Sequence, residues 1–241
     1  MRIVVTSRAF YRRNGLMANR QSALQIADSE PIFYNETRRP GRSVGQVKAD
    51  HAANGRGIQQ EVLMQPLVEC VPNFSEGRRL DVINAIAATL RGHADAGVRV
   101  LDIECDADHN RSVFTLVAPP QAMVAALFDA IQTAARLIDL EQHRGAHPRI
   151  GATDVVPFVP LRGLEMADCV ALARQLGQRV GDELQIPVYL YEAAATRPDR
   201  VNLADIRRGE YEGLKKEIGA DPDRRPEFGP ARLGPAGATV I

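Results

Sequence analysis

Short apolar runs alternate with segments of helical period from residue 67 onward, and this alternation predicts the fold. Runs rich in β-branched residues and bounded by turn residues indicate β-strands. The predicted strands are residues 67–71, 98–104, 112–118, 154–159 and 187–191. Apolar residues spaced three and four apart predict helices between them. The predicted buried helix faces consist of Ile83, Ile86, Ala87 and Leu90, of Val124, Leu127, Phe128, Ile131, Ala135 and Ile138, and of Cys169, Leu172, Ala173, Leu176 and Val180.

These elements follow one another in the order β-α-β-β-α-β, with a further α-β after them. The first six match the split βαβ arrangement of ferredoxin-like folds. The predicted class is therefore α/β, as a two-layer α+β fold whose mixed or antiparallel sheet carries its helices on one face. This order also brings loops 72–78, 105–111 and 141–153 to one edge of the sheet, because all three lie at the same end of the strands.

The three loops contain most of the side chains that could carry chemistry. An imidazole has an ordinary pKa of about 6.5 and exchanges protons near neutral pH, while the fork of an arginine side chain suits carboxylates. Polar groups that converge from separate loops indicate a functional site. The candidates are Asn73, Ser75, Glu76, Asp106, Asp108, His109, Asn110, Arg111, His143, His147 and Arg149.

Some of these residues also allow other interpretations. His143 and His147 have the spacing of two zinc ligands on a helix, as in a metal-dependent hydrolase with His109 as third ligand. Gly145 and Pro148 both oppose a helix at this point, so we predict no metal site.

Three purely structural interpretations stay open at this point. His143 could cap the C-terminus of a helix as a cation. Residues 106–111 could form only a hairpin connection, since Asp and Asn favour turns. Ser75 could be the N-cap of a helix.

The formal net charge of zero hides two unlike segments. Residues 1–63 carry 10 Lys or Arg against 5 Asp or Glu, whereas residues 64–241 carry 20 against 25. The acidic body argues against nucleic acid as a partner, and no apolar run approaches the roughly 20 residues that span a bilayer. Cys70, Cys105 and Cys169 are odd in number and form no C-x-x-C pair, which favours small buried thiols in a reducing, cytoplasmic compartment.

Residues 1–63 are polar and Arg-rich, with little sustained periodicity, and are predicted to be a disordered or non-native N-terminal extension. One interpretation is an organelle presequence, because Arg8, Arg12, Arg13 and Arg20 precede any acidic residue. The preferred one is that Met64 is the biological start and that residues 64–241 form the folded unit.

Several segments together resemble the formiminotransferase domain of the glutamate formimidoyltransferase family. They are LVECVPNFSEG at 67–77, Asn110-Arg111, H-x-G-x-H-P-R-x-G-A-x-D at 143–154, VVPFVP at 155–160, PVYLY at 187–191, RGEYE at 208–212 and FGP at 228–230, so that the resemblance covers residues 66–241. It implies transfer of a formimino group between N-formiminoglutamate and tetrahydrofolate as co-substrate, a one-carbon step of histidine breakdown. It also implies a two-layer α/β half-domain, which agrees with the predicted order.

The resemblance also assigns roles to residues. It implies that His147 is the catalytic acid/base, and we predict Arg111 and Arg149 as anchors for the carboxylates of glutamate. Asn73, Asn110 and His143 complete the predicted substrate-binding set. Asp106 and Asp108 are weaker candidates, as partners to cationic intermediates or to an imidazole. The implied folate-binding stretch is one residue shorter than the family pattern and consists of Gly229, Pro230, Ala231, Arg232, Leu233, Gly234, Pro235, Ala236 and Gly237.

Members of this family continue into a second, similarly built half, with folate between the halves. Residues 64–241 therefore resemble the N-terminal subdomain alone, without the C-terminal subdomain. We expect a homodimer or pairing with a separate C-terminal half. The alternative is a truncated, non-catalytic remnant that binds folate or dimerises.

Overall fold

A mixed sheet of eight strands runs through residues 65–241, the part of the chain that this computed structural model describes. The predictions for residues 1–63 and for a start at Met64 lie outside the described residues. In chain order the strands and α-helices are β1 (Leu67–Cys70), β2 (Asn73–Phe74), α1 (Leu80–Arg91), β3 (Arg99–Asp106), β4 (Arg111–Ala118), α2 (Pro120–Leu137), β5 (Thr153–Val155), β6 (Phe158–Arg162), α3 (Met166–Arg179), β7 (Val188–Tyr189), α4 (Leu203–Ile206), α5 (Glu210–Glu217) and β8 (Thr239–Val240).

The predicted ferredoxin-like order is confirmed. β1 and β2 are two pieces of its first strand, and β5 and β6 are two pieces of its fourth. β4 pairs antiparallel with β3 on one side and with β1 and β2 on the other. β6 pairs antiparallel with β1, and β5 with β2. Across the sheet, the four strands of the ferredoxin-like unit therefore lie in the order fourth, first, third, second. β8 adds to β5 in parallel and β7 adds to β8, so the sheet is mixed.

Proline divides both central strands. Pro72 separates β1 from β2, and Pro157 separates β5 from β6. Because proline has no backbone N–H to donate to a ladder, pairing is interrupted at these positions. The prediction of one continuous strand over 154–159 is therefore wrong in detail, whereas the strand predicted over 67–71 matches β1 to within one residue.

The sheet has two different faces. On β4 the side chains that point to α1, α2 and α3 are buried, namely Ser112, Phe114, Leu116 and Ala118. The alternate residues on the opposite face are only partly covered, namely Arg111, Val113, Thr115 and Val117. Phe74 on β2 packs edge to face against Phe114, with ring centroids 5.1 Å apart. α2 begins with Pro120 in its first turn, where a missing N–H costs nothing.

The three predicted helices, α1, α2 and α3, pack on one face of the sheet as expected, whereas two short helices that were not predicted, α4 and α5, do not. α4 and α5 build a second, smaller apolar cluster with the sheet, which contains Ile150, Val155, Ile206, Leu214 and Val240. The residues next to Val155 and Val240 in the sequence, Val156 and Ile241, belong to the main core. Because successive side chains of a strand point to opposite faces, the two clusters lie on opposite faces of the β5–β8–β7 end. Residues 203–217 were not predicted as helical because few of their residues are apolar.

The three cysteines are free thiols. Cys70 and Cys169 are buried as predicted, but Cys105 is exposed because it lies on the edge strand β3. No helix within residues 65–241 combines the length and the apolar character needed to cross a membrane.

Candidate active site

Asn110 joins the three loops that were predicted to converge. Its Oδ1 accepts the backbone N–H of Gly77 at 2.9 Å, and its Nδ2 donates to the carbonyl of Arg144 at 3.0 Å. Its own carbonyl oxygen is 3.0 Å from Nε2 of His143. The residue has φ of +50°, a left-handed conformation that asparagine tolerates better than most residues. The predicted convergence of the loops is thus confirmed, with the Asn110 amide engaged in holding it.

Ser75 makes a second connection between the loops. Its Oγ donates to the carbonyl of Gly151 at 2.7 Å, and its N–H donates to the carbonyl of Ala152 at 2.9 Å. The interpretation of Ser75 as a helix N-cap is therefore wrong, because α1 begins only at Leu80. The carboxylate of Glu76 instead accepts two N–H groups just before the helix.

His143 is buried and both of its ring nitrogens are engaged. Nε2 donates to the carbonyl of Asn110, and Nδ1 accepts from Nε of Arg149 at 3.2 Å, which fixes the neutral tautomer. Burial lowers the pKa of His143. It does not cap α2, which ends at Leu137. With no free nitrogen it cannot act as a zinc ligand, so the hydrolase interpretation loses its central residue.

Arg149 connects residues 141–153, here called the histidine loop, to α5. Its Nη1 donates to Glu210 at 2.8 Å, and its two Nη atoms bind Glu212 at 2.8 and 2.9 Å. The hydrogen bonds with Arg149 lower the pKa of Glu212 to about 2. The structure therefore places the predicted anchor Arg149 in an internal ion-pair cluster, with Nε on His143.

His147 lies at the rim formed by these loops, outside the apolar interior. Its side chain is 17% exposed, and Nε2 is 3.9 Å from Oδ2 of Asp154, too long for a hydrogen bond. Its ring stands edge to face with that of His109, with centroids 6.4 Å apart. His109 in turn lies 2.7 Å from the carboxylate of Asp106.

Asp154 reaches this site because β5 is irregular. Asn73 and Phe74 pair with Val155 and Thr153, which leaves Asp154 as an extra residue in a β-bulge. Bulges re-aim side chains and are frequent beside active sites. The Asp154 carboxylate accepts the N–H of Ile150 at 2.8 Å and is paired with Nη2 of Arg207.

Sequence reasoning missed two of these groups. Arg207 lies 53 residues after Asp154, in a segment with no periodic signal, and nothing local could have identified it. Asp154 was included in the motif 143–154 but not among the candidate site residues. Its place at the start of a predicted strand, just after H-P-R, could have identified it as one.

Positive charge surrounds the imidazole of His147. Desolvation, followed by the charges of Arg111 and Arg207, lowers the pKa of His147 to about 4. The ring is therefore neutral near pH 7 and able to accept a proton. Nε2 of His147, Nε of Arg111 and Nε of Arg207 are buried and have no hydrogen-bond partner among the described residues. Buried polar atoms without partners are costly, so the three together indicate where a polar ligand binds.

The glycine-rich stretch 229–237 packs directly behind the histidine loop. Ala152 N–H donates to the carbonyl of Ala236, and Ala238 N–H donates to the carbonyl of Ile150, both at 2.8 Å. At Gly237, with φ of +70°, a Cβ atom would lie 2.2 Å from the carbonyl oxygen of Ile150, so only glycine fits. Residues 234–237 also line an open cavity of about 420 Å³, together with Gln132, Arg136 and Gln185.

The free energy of unfolding is expected to fall as the pH is lowered from 6.5 towards 4. Between these values the unfolded chain protonates His147 while the folded protein, with a pKa of about 4, does not; stability then rises with pH. Between pH 7 and pH 4.5 this difference in pKa lowers the free energy of unfolding by roughly 2–3 kcal/mol. Urea unfolding at pH 7 and near pH 4.5 should show a smaller loss in His147→Gln than in the wild type. Equal losses would contradict the depressed pKa.

Comparison with known proteins places this site in a family. A family model described as the formiminotransferase domain, N-terminal subdomain, matches residues 67–241. A glutamate formimidoyltransferase of Thermoplasma acidophilum is 53% identical over 177 residues, which are 73% of this chain and 57% of the relative. One from Streptococcus pyogenes serotype M1 is 44% identical, covering 74% and 59% of the two chains.

The formimidoyltransferase-cyclodeaminase of Rattus norvegicus is 46% identical over 73% of this chain and 32% of its own. The chain thus spans somewhat more than half the length of the two glutamate formimidoyltransferases. The match includes every strand and helix described above, together with the histidine loop and residues 229–237. The chain belongs to the formiminotransferase family, and residues 67–241 are its N-terminal subdomain.

Proposed function

We propose that the protein transfers the formimino group between N-formiminoglutamate and tetrahydrofolate, a step of histidine degradation and one-carbon metabolism, with His147 as the acid/base. The names of the relatives support the reaction. The observation that carries the role of His147 is its buried, unpartnered Nε2 at the rim of three converging loops, beside two arginines.

The reaction needs a group that moves one proton in each direction. Attack of the folate N5 nitrogen on the amidine carbon gives a tetrahedral adduct. The adduct collapses to products only when the attacking nitrogen loses a proton and the leaving glutamate nitrogen gains one. Neutral His147 can take the first proton and, as imidazolium, deliver it to the leaving nitrogen. Asp154, at 3.9 Å, stabilises the imidazolium.

The remaining predicted substrate-binding residues divide into two groups. Arg111 is the candidate for contact with a substrate carboxylate, because its Nε is unpartnered. Asn73 pairs with Val113, so its side chain lies on the same partly covered face of the sheet as Val113. Asn110, His143 and Arg149 bind other parts of the site in this structure, and we propose that they position the histidine loop.

Tetrahydrofolate is proposed to bind at residues 229–237. These residues are hydrogen-bonded to the histidine loop through Ala236 and Ala152, and the adjoining cavity of about 420 Å³ falls within the size range of small-molecule sites. Gln132, Arg136 and Gln185 provide polar groups there for a heterocycle. No metal is required by this scheme, in which His147 carries the proton.

A further polypeptide is proposed to complete the site. The sheet face opposite α1–α3 carries partly exposed residues such as Glu69, Thr115 and Val159. We propose that a C-terminal half, or a second copy of this chain, covers that face. Light scattering of the purified chain, alone and with a separately expressed C-terminal half of a relative, distinguishes the two.

The purified chain should form glutamate and 5-formiminotetrahydrofolate when mixed with N-formiminoglutamate and tetrahydrofolate. Glutamate release, followed by a coupled assay, gives the rate, and omission of either substrate gives the background. Folate binding without turnover, even with the C-terminal half added, would support the alternative of a non-catalytic folate-binding module. The absence of both folate binding and turnover would contradict the proposal.

A further inference from the structure

Arg207 is placed beside His147 by the fold alone. It follows α4 directly, and its guanidinium is largely covered, with the side chain 15% exposed. Nη2 donates to the carboxylate of Asp154, while Nε is buried and has no acceptor within residues 65–241. The Asp154 contact therefore uses only part of its donor set.

Arg111 presents the same unpaired atom from a different element of the fold. It begins β4, and its Nε is also buried without an acceptor in the described part of the chain. Both arginines act on the imidazole of His147. Within residues 65–241, Asp154 is the only carboxylate in an ion pair with either of them. Two guanidinium groups and one carboxylate leave a net positive charge beside a neutral imidazole.

We propose that Arg111 and Arg207 together bind one carboxylate group of the glutamate moiety next to His147. The inference rests on the proposed function and names the residues that recognise its amino-acid substrate. A carboxylate supplies two acceptor oxygens, one for each unpaired Nε–H, and its single negative charge balances the excess positive charge. The two arginines come from β4 and from the end of α4, so the subsite forms only when the whole subdomain is folded.

Carboxylate binding has a direct effect on His147. Burial, and after it the charges of Arg111 and Arg207, hold the pKa of His147 below its ordinary value, and an anion bound between the two arginines offsets their share of this effect. The imidazole therefore becomes a stronger base when the amino-acid substrate is in place. The substrate itself prepares the group that takes its proton.

The test uses the full chain with ¹³C-labelled histidine and L-glutamate as probe. NMR titration of the His147 ring should show its pKa rise by about one unit at saturating glutamate. Glutaramide, which has the same carbon skeleton without carboxylates, should leave it unchanged. A His147 pKa that does not respond to glutamate would overturn the inference.

Variants of the two arginines complete the test. Arg207→Lys and Arg111→Lys keep the positive charge and lose the planar fork, so calorimetry should show glutamate affinity reduced about tenfold in each. Arg208→Lys, at the exposed neighbouring position, should bind like the wild type. Circular dichroism and thermal melts verify that each variant is folded. Wild-type affinity in folded Arg207→Lys would overturn the role of Arg207.

These outcomes are separate from those of the activity assay. Glutamate binding that depends on both arginines, in a chain that transfers no formimino group, would contradict the proposed function and support the subsite. Formimino transfer by a chain whose glutamate affinity and KM for N-formiminoglutamate are unchanged in Arg207→Lys and Arg111→Lys would support the function and overturn the subsite.

Discussion

Replacement of His147 by glutamine is expected to lower kcat for formimino transfer by a factor of about 10² to 10⁴, the usual value of positioned acid/base catalysis. Glutamine retains polar atoms of similar reach but cannot take up a proton. The substrates keep their other contacts, so their dissociation constants should change little. Stopped assays of glutamate release, together with calorimetric titration of folate, separate the two effects.

His93→Gln is the matched control for this substitution. His93 lies after α1 and is bonded to Asp129 on α2 at 2.9 Å, in the helical layer and away from the loops. Its replacement should leave kcat within about twofold, because a surface ion pair contributes little. A kcat in His147→Gln that equals the wild-type value would remove His147 from the reaction.

Replacement of Gly151 by alanine is expected to lower the free energy of unfolding by about 3 kcal/mol or more. A Cβ atom at this position would lie 1.8 Å from the carbonyl oxygen of Ala238. Backbone cannot move aside as a flexible side chain can, so the strand that ends the described chain must separate from the histidine loop. Folate affinity should fall together with stability, because residues 236–238 hold that contact. Urea denaturation measures the first effect and calorimetry the second.

Gly234→Ala provides the comparison. A Cβ atom at Gly234 would meet nothing within 4 Å, although this residue lies in the same glycine-rich stretch. Its free energy of unfolding should stay within about 0.5 kcal/mol of the wild type. Equal stability of the two variants would show that the packing of residues 236–238 against the histidine loop does not stabilise the protein.

The arrangement of the loops was predictable because it follows from strand direction. Alternating burial along 112–118 and helical spacing along 120–137 are local signals, and the β-α-β-β-α-β order then determines which ends of the strands meet. His147 and Arg111 were placed at one edge of the sheet on this basis alone. The structure brings both to that edge.

The polar contacts within the site were not predictable in the same way. Pairing of Asp154 with Arg207, and of Arg149 with Glu212, joins residues that are 53 and 63 positions apart. Such pairs leave no periodic trace, because each charged residue alone resembles an ordinary surface position. The sequence therefore suggested Arg149 as a substrate anchor, whereas the fold uses it to hold α5. Arg207 went unnoticed for the same reason.

The pH dependence of kcat/KM tests the central claim most directly, that His147 moves the proton. The ratio of kcat/KM in the wild type to that in His147→Gln removes the titration of the substrates themselves. This ratio should be constant at neutral pH. It should decrease at pH values below about 4, the pKa of His147 in the substrate-free protein, as the ring becomes protonated. A ratio that stays constant through this range would contradict the claim, because no proton transfer that depends on His147 would then be present.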